Sequence, residues 1–189
     1  MALDCFVDIA LRPDPECAAH VLLGALYAKV HHTLTPTNVA GVAVCFPGYQ
    51  ARPPRLGTRM RLLGTRAALQ TLTTSDWLGG LRDYVVVGAV ADVPVHVVHR
   101  ALRRVQAKSS PERLRRRLMK RHGLDETQAH GRIPDSAAET LHHPFVQMHS
   151  ASTGQTFRLF LHAGPGQPAP VVGTFNAYGL SQDATIPWF

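Results

Sequence analysis

Apolar residues over the first ninety positions fall into short runs whose spacing predicts six elements. Leu3 to Leu11 holds a strand-like run in Cys5, Phe6, Val7 and Ile9. Pro13 and Pro15 interrupt it, and Asp14 stands where a helix start needs a cap. From there to Leu34, the positions Leu22, Leu23, Leu26, Tyr27 and Val30 recur at helical spacing, until Pro36, Thr37 and Asn38 break the pattern. Val39 to Phe46 is rich in valine and reads as a strand, Pro47 to Pro54 as a loop, and Thr58 to Leu63 as a further strand. Ala67, Ala68, Leu69 and Leu72 make Thr65 to Leu72 helix-like. Tyr84 to Val90 is a strong strand, and Val93 to Val98 is expected to continue the sheet.

The order is strand, helix, strand, strand, helix, strand, which is the ferredoxin-like order. RNA-recognition modules share it with many unrelated proteins, so the topology alone licenses no function. The aromatic signature of RNA-recognition strands is not evident in this chain. Beyond residue 95 the pattern changes. Helices are expected at Pro111 to His122 and Glu126 to Arg132, and strands at Phe145 to Met148, Thr156 to His162 and Val171 to Tyr178. Ala163 to Pro170, AGPGQPAP, is a flexible loop by composition. The expected class is α+β. Residues 1–95 would form a ferredoxin-like (RRM-like) domain, and residues 96–189 a smaller C-terminal α/β lobe carrying an arginine-rich helix.

Composition sharpens this picture. Of 189 residues, 45% are apolar, enough to build a core and to argue against global disorder. The formal net charge is +7 and the isoelectric point about 9.9, a surplus that needs nucleic acid, an anionic membrane or an acidic partner. No apolar run reaches bilayer-spanning length, and the start, MALDCFVDIALRPDPE, lacks the layout of a signal peptide. Cys5, Cys17 and Cys45 are odd in number and show no CxxC spacing, so they read as reduced thiols of a cytoplasmic protein.

Half of the Lys and Arg residues, ten of 20, lie between Arg100 and Arg121, with Glu112 the only acid among them. Ser110 caps the expected helix, Pro111 occupies its first position, and Glu112 sits near the positive end of its dipole. Helical geometry gathers Arg113, Arg116, Arg117 and Lys120 on one face, with Arg121 at its edge. Leu114 and Leu118 fall together at i, i+4 and can anchor the helix. A merely solvated face would mix signs, because like charges four apart repel by a few tenths of a kcal/mol each. A membrane-surface helix would carry an aromatic apolar face, which this one lacks. A polyanion, nucleic acid above all, is the reading that fits.

Several stretches point the same way. RVQAKSSPERLRRRLMKRH (Arg104 to His122), SASTGQTFRLF (Ser150 to Phe160), AYGLS (Ala177 to Ser181), the terminal PWF (Pro187 to Phe189) and LRPDPE (Leu11 to Glu16) occur in this order. Together they closely resemble the CRISPR repeat endoribonuclease family of subtype I-F systems. The resemblance covers nearly the whole chain and is weakest over residues 47 to 100.

The resemblance implies an enzyme that cuts precursor CRISPR RNA and stays on its product. It implies that His31, in the run YAKVHH, is the catalytic histidine, that Ser150 positions the substrate ribose, and that Tyr178 helps place the histidine. It implies phosphate contacts from Arg116, Arg117, Lys120 and Arg121, with the helix in the major groove of the repeat hairpin; Arg113, on the same face by helical geometry, is expected to bind RNA with them. Arg104 and Gln106 match residues that read base edges near the hairpin foot, Phe157 an aromatic that stacks on the terminal base pair, and Ser152 and Thr153 residues near the scissile phosphate. Lys120 stands where arginine would be commoner; it keeps the charge and loses the planar fork.

The implied chemistry needs neither metal nor cofactor. A ribose 2′-OH attacks the adjacent phosphate and leaves a 2′,3′-cyclic phosphate and a 5′-OH. Imidazole suits the base. The implied partners are CRISPR repeat hairpin RNA and other subunits of a type I-F surveillance complex, with no membrane. The residues themselves leave the base open among His31, its neighbour His32 and His149. On a helix the first two point about 100° apart, so only one can face a given phosphate. The rival function is a catalytically inactive subunit that binds the hairpin and caps the guide RNA.

Overall fold

The alternation over Cys5–Leu11 forms strand β1, with every second side chain buried. The computed structural model describes residues 3–35, 41–107, 109–150 and 154–189. Helix α1 spans Ala19–Leu34, and β2 (Ala43–Cys45) and β3 (Arg59–Gly64) follow. Helix α2 (Arg66–Thr74) starts at Thr65, whose side chain accepts from the Ala68 N–H. A single 3-10 turn at Arg82–Tyr84 then leads into β4 (Val85–Val87) and β5 (Ala91–Asp92). The sheet order is β2-β3-β1-β4 with every pairing antiparallel, and β5 also pairs with β1.

The second half supplies β6 (Val98–Arg100), β7 (Leu102–Val105), α3 (Pro111–His122), α4 (Glu126–Arg132), β8 (Phe145–His149), β9 (Thr156–Ala163) and β10 (Ile186–Trp188). β10 pairs with β6, and β7-β9-β8 make a three-stranded antiparallel sheet. Helices and antiparallel sheets thus coexist in an α+β protein.

Three expected strands are redrawn. Tyr84 to Val90 keeps strand pairing only over β4, and one further hydrogen bond, from the Gly88 N–H to the Asp8 carbonyl, carries the chain toward β5. Val93 to Val98 does not extend the sheet: the Val93 N–H still reaches the Asp4 carbonyl, and then Pro94 offers no donor. Val171 to Tyr178 forms no strand. Val171 is instead tied to Thr185, its N–H to the Oγ1 at 2.8 Å and its carbonyl to the Thr185 N–H at 3.0 Å, and the chain then turns at Asn176. The loop at Ala163 to Pro170 is pinned to β6 by two hydrogen bonds between Gln167 and His99.

Packing divides the chain away from residue 95. One compact unit comprises Met1–Val105 and His143–Phe189, and the other Gln106–His142. In the first unit Leu102, Val146, Met148, Leu159, Leu161, Leu180 and Ile186 join one buried cluster with the residues of β1, α1 and β3. The chain therefore returns to its N-terminal core after an excursion through the two helices of the second unit. Arg61 is the one nearly buried guanidinium of the first sheet. It donates to both Asp8 oxygens, at 2.6 and 2.9 Å, and to the Phe189 carbonyl at 2.8 Å. The rings of Phe6 and Phe189 lie against it.

α1 packs against β8, and Gly24 permits the approach: a Cβ there would lie 2.4 Å from the Gln147 carbonyl oxygen. Gly24→Ala restores about 1 kcal/mol of helix propensity. Because the clash is with rigid backbone, we expect a net loss of about 1–3 kcal/mol, read by denaturant unfolding. Unchanged or raised stability would show that the helix is free to move outward.

Candidate active site and nucleic-acid interface

The buried stripe of α1 is formed by Leu22, Leu23, Gly24, Leu26, Tyr27, Val30 and Leu34. At 3.6 residues per turn His31 falls at the edge of this stripe, beside Tyr27, and His32 falls outside it. His31 is half-buried and His32 exposed. The His31 Nδ1 lies 2.9 Å from the Ala177 carbonyl oxygen. A carbonyl only accepts, so this contact places the proton on Nδ1 and leaves the Nε2 lone pair of the neutral ring free. The Tyr178 ring stacks on the imidazole at 3.9 Å with an interplanar angle of 2°.

The turn that presents Ala177 and Tyr178 is itself held from several sides. The Tyr27 hydroxyl donates to the Tyr178 carbonyl at 2.8 Å. Burial pushes the Tyr27 phenol well above its ordinary pKa, so it stays a donor. The Asn176 Oδ1 accepts from the N–H groups of Tyr178 and Leu180. Gly179 has φ +67°, and a Cβ there would stand 2.5 Å from the Val44 Cγ2. Its carbonyl accepts from the Val44 N–H at 2.9 Å. Tyr27 and Asn176 escape a reading based on motifs. Their one sequence signal is the i, i+4 spacing of Tyr27 and His31, which puts both on one side of α1.

Ser150 follows β8 and closes the β8–β9 hairpin, its N–H donating to the Gln155 carbonyl and its carbonyl accepting from Gly154. Ser152 and Thr153 lie outside the described residues. His149 stands on the exposed face of β8, where side chains alternate strictly. Phe157 is half-buried against the core, with the Arg104 guanidinium 5.8 Å from its ring centre. The Arg104 Nε is buried and has no hydrogen-bond partner among the described residues. The first unit thus gathers His31, Tyr178, Ser150, Phe157 and Arg104.

The second unit carries the remaining expected contacts. Gln106 is exposed. α3 starts at Ser110, whose side chain accepts from the Arg113 N–H, and ends at Gly123 in the left-handed conformation. α4 begins with a reciprocal capping box between Asp125 and Gln128. Arg113, Arg116, Arg117, Lys120 and Arg121 are exposed, and none is in an ion pair with a described residue. Arg115 behaves differently. Its side chain is only 11% exposed, and it donates to the Ile133 carbonyl at 3.1 Å and to Asp135 at 2.8 Å. The Arg115 hydrogen bond to Asp135, and then the guanidinium charge, hold the Asp135 carboxyl below its ordinary pKa. Arg115 therefore fastens α3 to the chain beyond α4, while its neighbours stay free for a ligand. Leu114 and Leu118 are half-buried.

Among the described residues there is no cluster of three His, Cys, Asp or Glu side chains arranged to hold a metal ion. No described helix is long and apolar enough to cross a membrane.

Comparison with known proteins places the chain in a family. The model of the CRISPR-associated protein family Cas_Csy4 matches residues 6–189. A "CRISPR-associated endonuclease Cas6/Csy4" of Pseudomonas aeruginosa (strain UCBPP-PA14) is 46% identical over 187 residues, covering 99% of this chain and all of the relative. A protein of the same description from Escherichia coli (strain UTI89 / UPEC) is 41% identical over 187 residues, with the same coverage. With a family model spanning nearly the whole chain and two full-length relatives above 40% identity, this chain belongs to the Csy4 family of CRISPR-associated proteins.

Proposed function

We propose that this protein is a metal-independent endoribonuclease that cuts precursor CRISPR RNA at the foot of the repeat hairpin. The observation that carries the reading is the hold on His31: its Nδ1 committed to the Ala177 carbonyl, its ring pressed against Tyr178, its Nε2 left to act. Ring and tautomer are both set before substrate arrives, which is what a general base requires. His31 takes the proton of a ribose 2′-OH. The 2′ oxygen bonds to the adjacent phosphorus, the bond to the 5′ oxygen breaks, and that oxygen gains a proton. The products are a 2′,3′-cyclic phosphate and a 5′-OH. Because the nucleophile belongs to the substrate, no metal is needed to generate it.

Ser150 orients the ribose and Tyr178 fixes the plane of His31. Ser152 and Thr153 attend the scissile phosphate. Phe157 stacks on the last base pair, Arg104 and Gln106 read base edges at the open foot of the stem, and Arg113, Arg116, Arg117, Lys120 and Arg121 grip phosphates. Long A-form RNA closes its major groove to side chains, but a short stem open at its foot relaxes that limit. The order β2-β3-β1-β4 supports a ferredoxin-like domain over residues 1–95, with residues 96–189 as the RNA-binding part. That division is functional and differs from the division by packing. After cleavage the hairpin contacts are intact, so the product stays bound and enters a cytoplasmic type I-F surveillance complex with other subunits.

Three outcomes test this reading. A hairpin RNA with a 2′-deoxy nucleotide just upstream of the cut should bind normally and stay whole, while the ribose substrate is cut in EDTA; gel analysis of products and their ends decides both. His31→Ala should slow single-turnover cleavage by about 10²-fold or more with binding retained, and His32→Ala should leave the rate near wild type. Hairpin affinity should fall by roughly 10³-fold between 50 and 200 mM salt if six or more phosphates are neutralised. A flat salt response would remove the arginine helix from the interface.

A further inference from the structure

The sheet β7-β9-β8 has a second face that the proposed chemistry leaves unused. Leu102, Val146, Met148, Leu159 and Leu161 point into the core. The alternate positions point outward. There the Phe145 and Phe160 rings, on paired residues of β8 and β9, lie 5.4 Å apart. Phe145 is 37% exposed. The Arg158 guanidinium sits 4.7 Å from its ring centre. Further along, exposed Arg103 stands opposite His162 on the neighbouring strand, and the His143 ring meets His162 edge-on at 5.3 Å. None of the outward strand positions is acidic, and neither Arg103 nor Arg158 is in an ion pair with a described residue.

A cross-strand phenylalanine pair on a wet face contributes about 0.2–1 kcal/mol to pairing. That accounts for two rings touching. It does not account for their company: two guanidinium groups, with imidazoles beside them and no acidic strand neighbour, around half-exposed aromatics, where a solvated sheet face would alternate charges. Burial, and after it the neighbouring Arg103 and His143, pushes the His162 pKa down, so this ring is neutral near pH 7 and the fixed charge of the face is that of Arg103 and Arg158. The two arginines, unpaired among the described residues, would take an anion. Aromatic faces flanked by cations are the arrangement that takes single-stranded nucleic acid, bases stacking on rings and phosphates meeting the cations.

We propose that this outer face, centred on Phe145, Phe160 and Arg158, is a second RNA-contact surface that binds single-stranded RNA without sequence preference. It rests on the reading of the ligand as RNA and is independent of cleavage.

The test compares a bare repeat hairpin, the same hairpin with a ten-nucleotide uridine extension, and oligouridine alone, by fluorescence anisotropy at fixed salt. Wild type should bind the extended hairpin about tenfold or more tightly than the bare one. Arg158→Glu and, separately, Phe145→Ser should abolish that increment and weaken oligouridine binding by a similar factor, with bare-hairpin affinity unchanged within twofold and serving as the control for folding. Equal affinities of wild type for the two hairpins would overturn the proposal. So would variants that keep the increment, or that lose bare and extended hairpin alike. Variants that bind every RNA normally but fail to join other protein subunits would assign the face to a protein partner, and overturn it too. If instead wild type binds oligouridine through this face but neither holds nor cuts the hairpin, the proposed endoribonuclease function fails and this surface stands.

Discussion

The close approach of α1 to β8 is the constraint on which the rest of the first unit depends. α1 must bury a wide stripe against the core and still lie near the β8 backbone, which only a residue without a side chain at position 24 allows. Because the helix is rigid, its depth at Gly24 sets the position of every later turn, Tyr27 and His31 included. β8 in turn leads directly to Ser150. A histidine near the end of one element and a serine just past the end of another thus share one packing contact as their common reference.

The turn at Asn176 to Leu180 fixes that placement in detail. Tyr27 and His31 sit one helical turn apart and reach consecutive carbonyls of the same turn, those of Tyr178 and Ala177. The left-handed glycine at 179 lets the turn lie flat on Val44, and Asn176 closes it from within. A flexible loop could not hold an aromatic ring parallel to an imidazole at 3.9 Å. The polar groups of this turn spend their hydrogen bonds on position, leaving one ring nitrogen unspent.

The arginines divide by environment. Arg61, nearly buried, meets a bidentate carboxylate, a carbonyl and two aromatic rings, because an uncompensated charge there would be strongly destabilising. Arg115 ties two parts of the helical unit together. Arg113, Arg116 and Arg117 differ from Arg115 by one or two positions, are exposed and have no ion-pair partner among the described residues, so their mutual repulsion is not offset there.

Much of this is legible in the sequence where the physics is local. The ends of α3 follow from Ser110, Pro111 and Gly123, since caps act within one turn. Strand β1, helix α1 and the basic face of α3 follow from periodicity. Val171 to Tyr178 misled, because β propensity describes a residue's fit to a sheet: Val171 is tied to Thr185 beside β10, one of its two bonds made by a side chain, and the chain then turns at Asn176. The split of Val93 to Val98 turned on one proline, and β10 is too short to carry a period at all. The sequence by itself determined the class of fold, the exposed basic helix and, through its motifs, the family. Its residues left His31 and His32 open until the family resemblance favoured His31, and helical geometry set Arg115 apart from the basic face without naming a partner for it. The tertiary structure supplied the contacts, half-burying one histidine beneath Tyr178 and turning one arginine onto Asp135. The partners that make the difference lie 146 residues away for His31 and 20 for Arg115, beyond the reach of any local pattern.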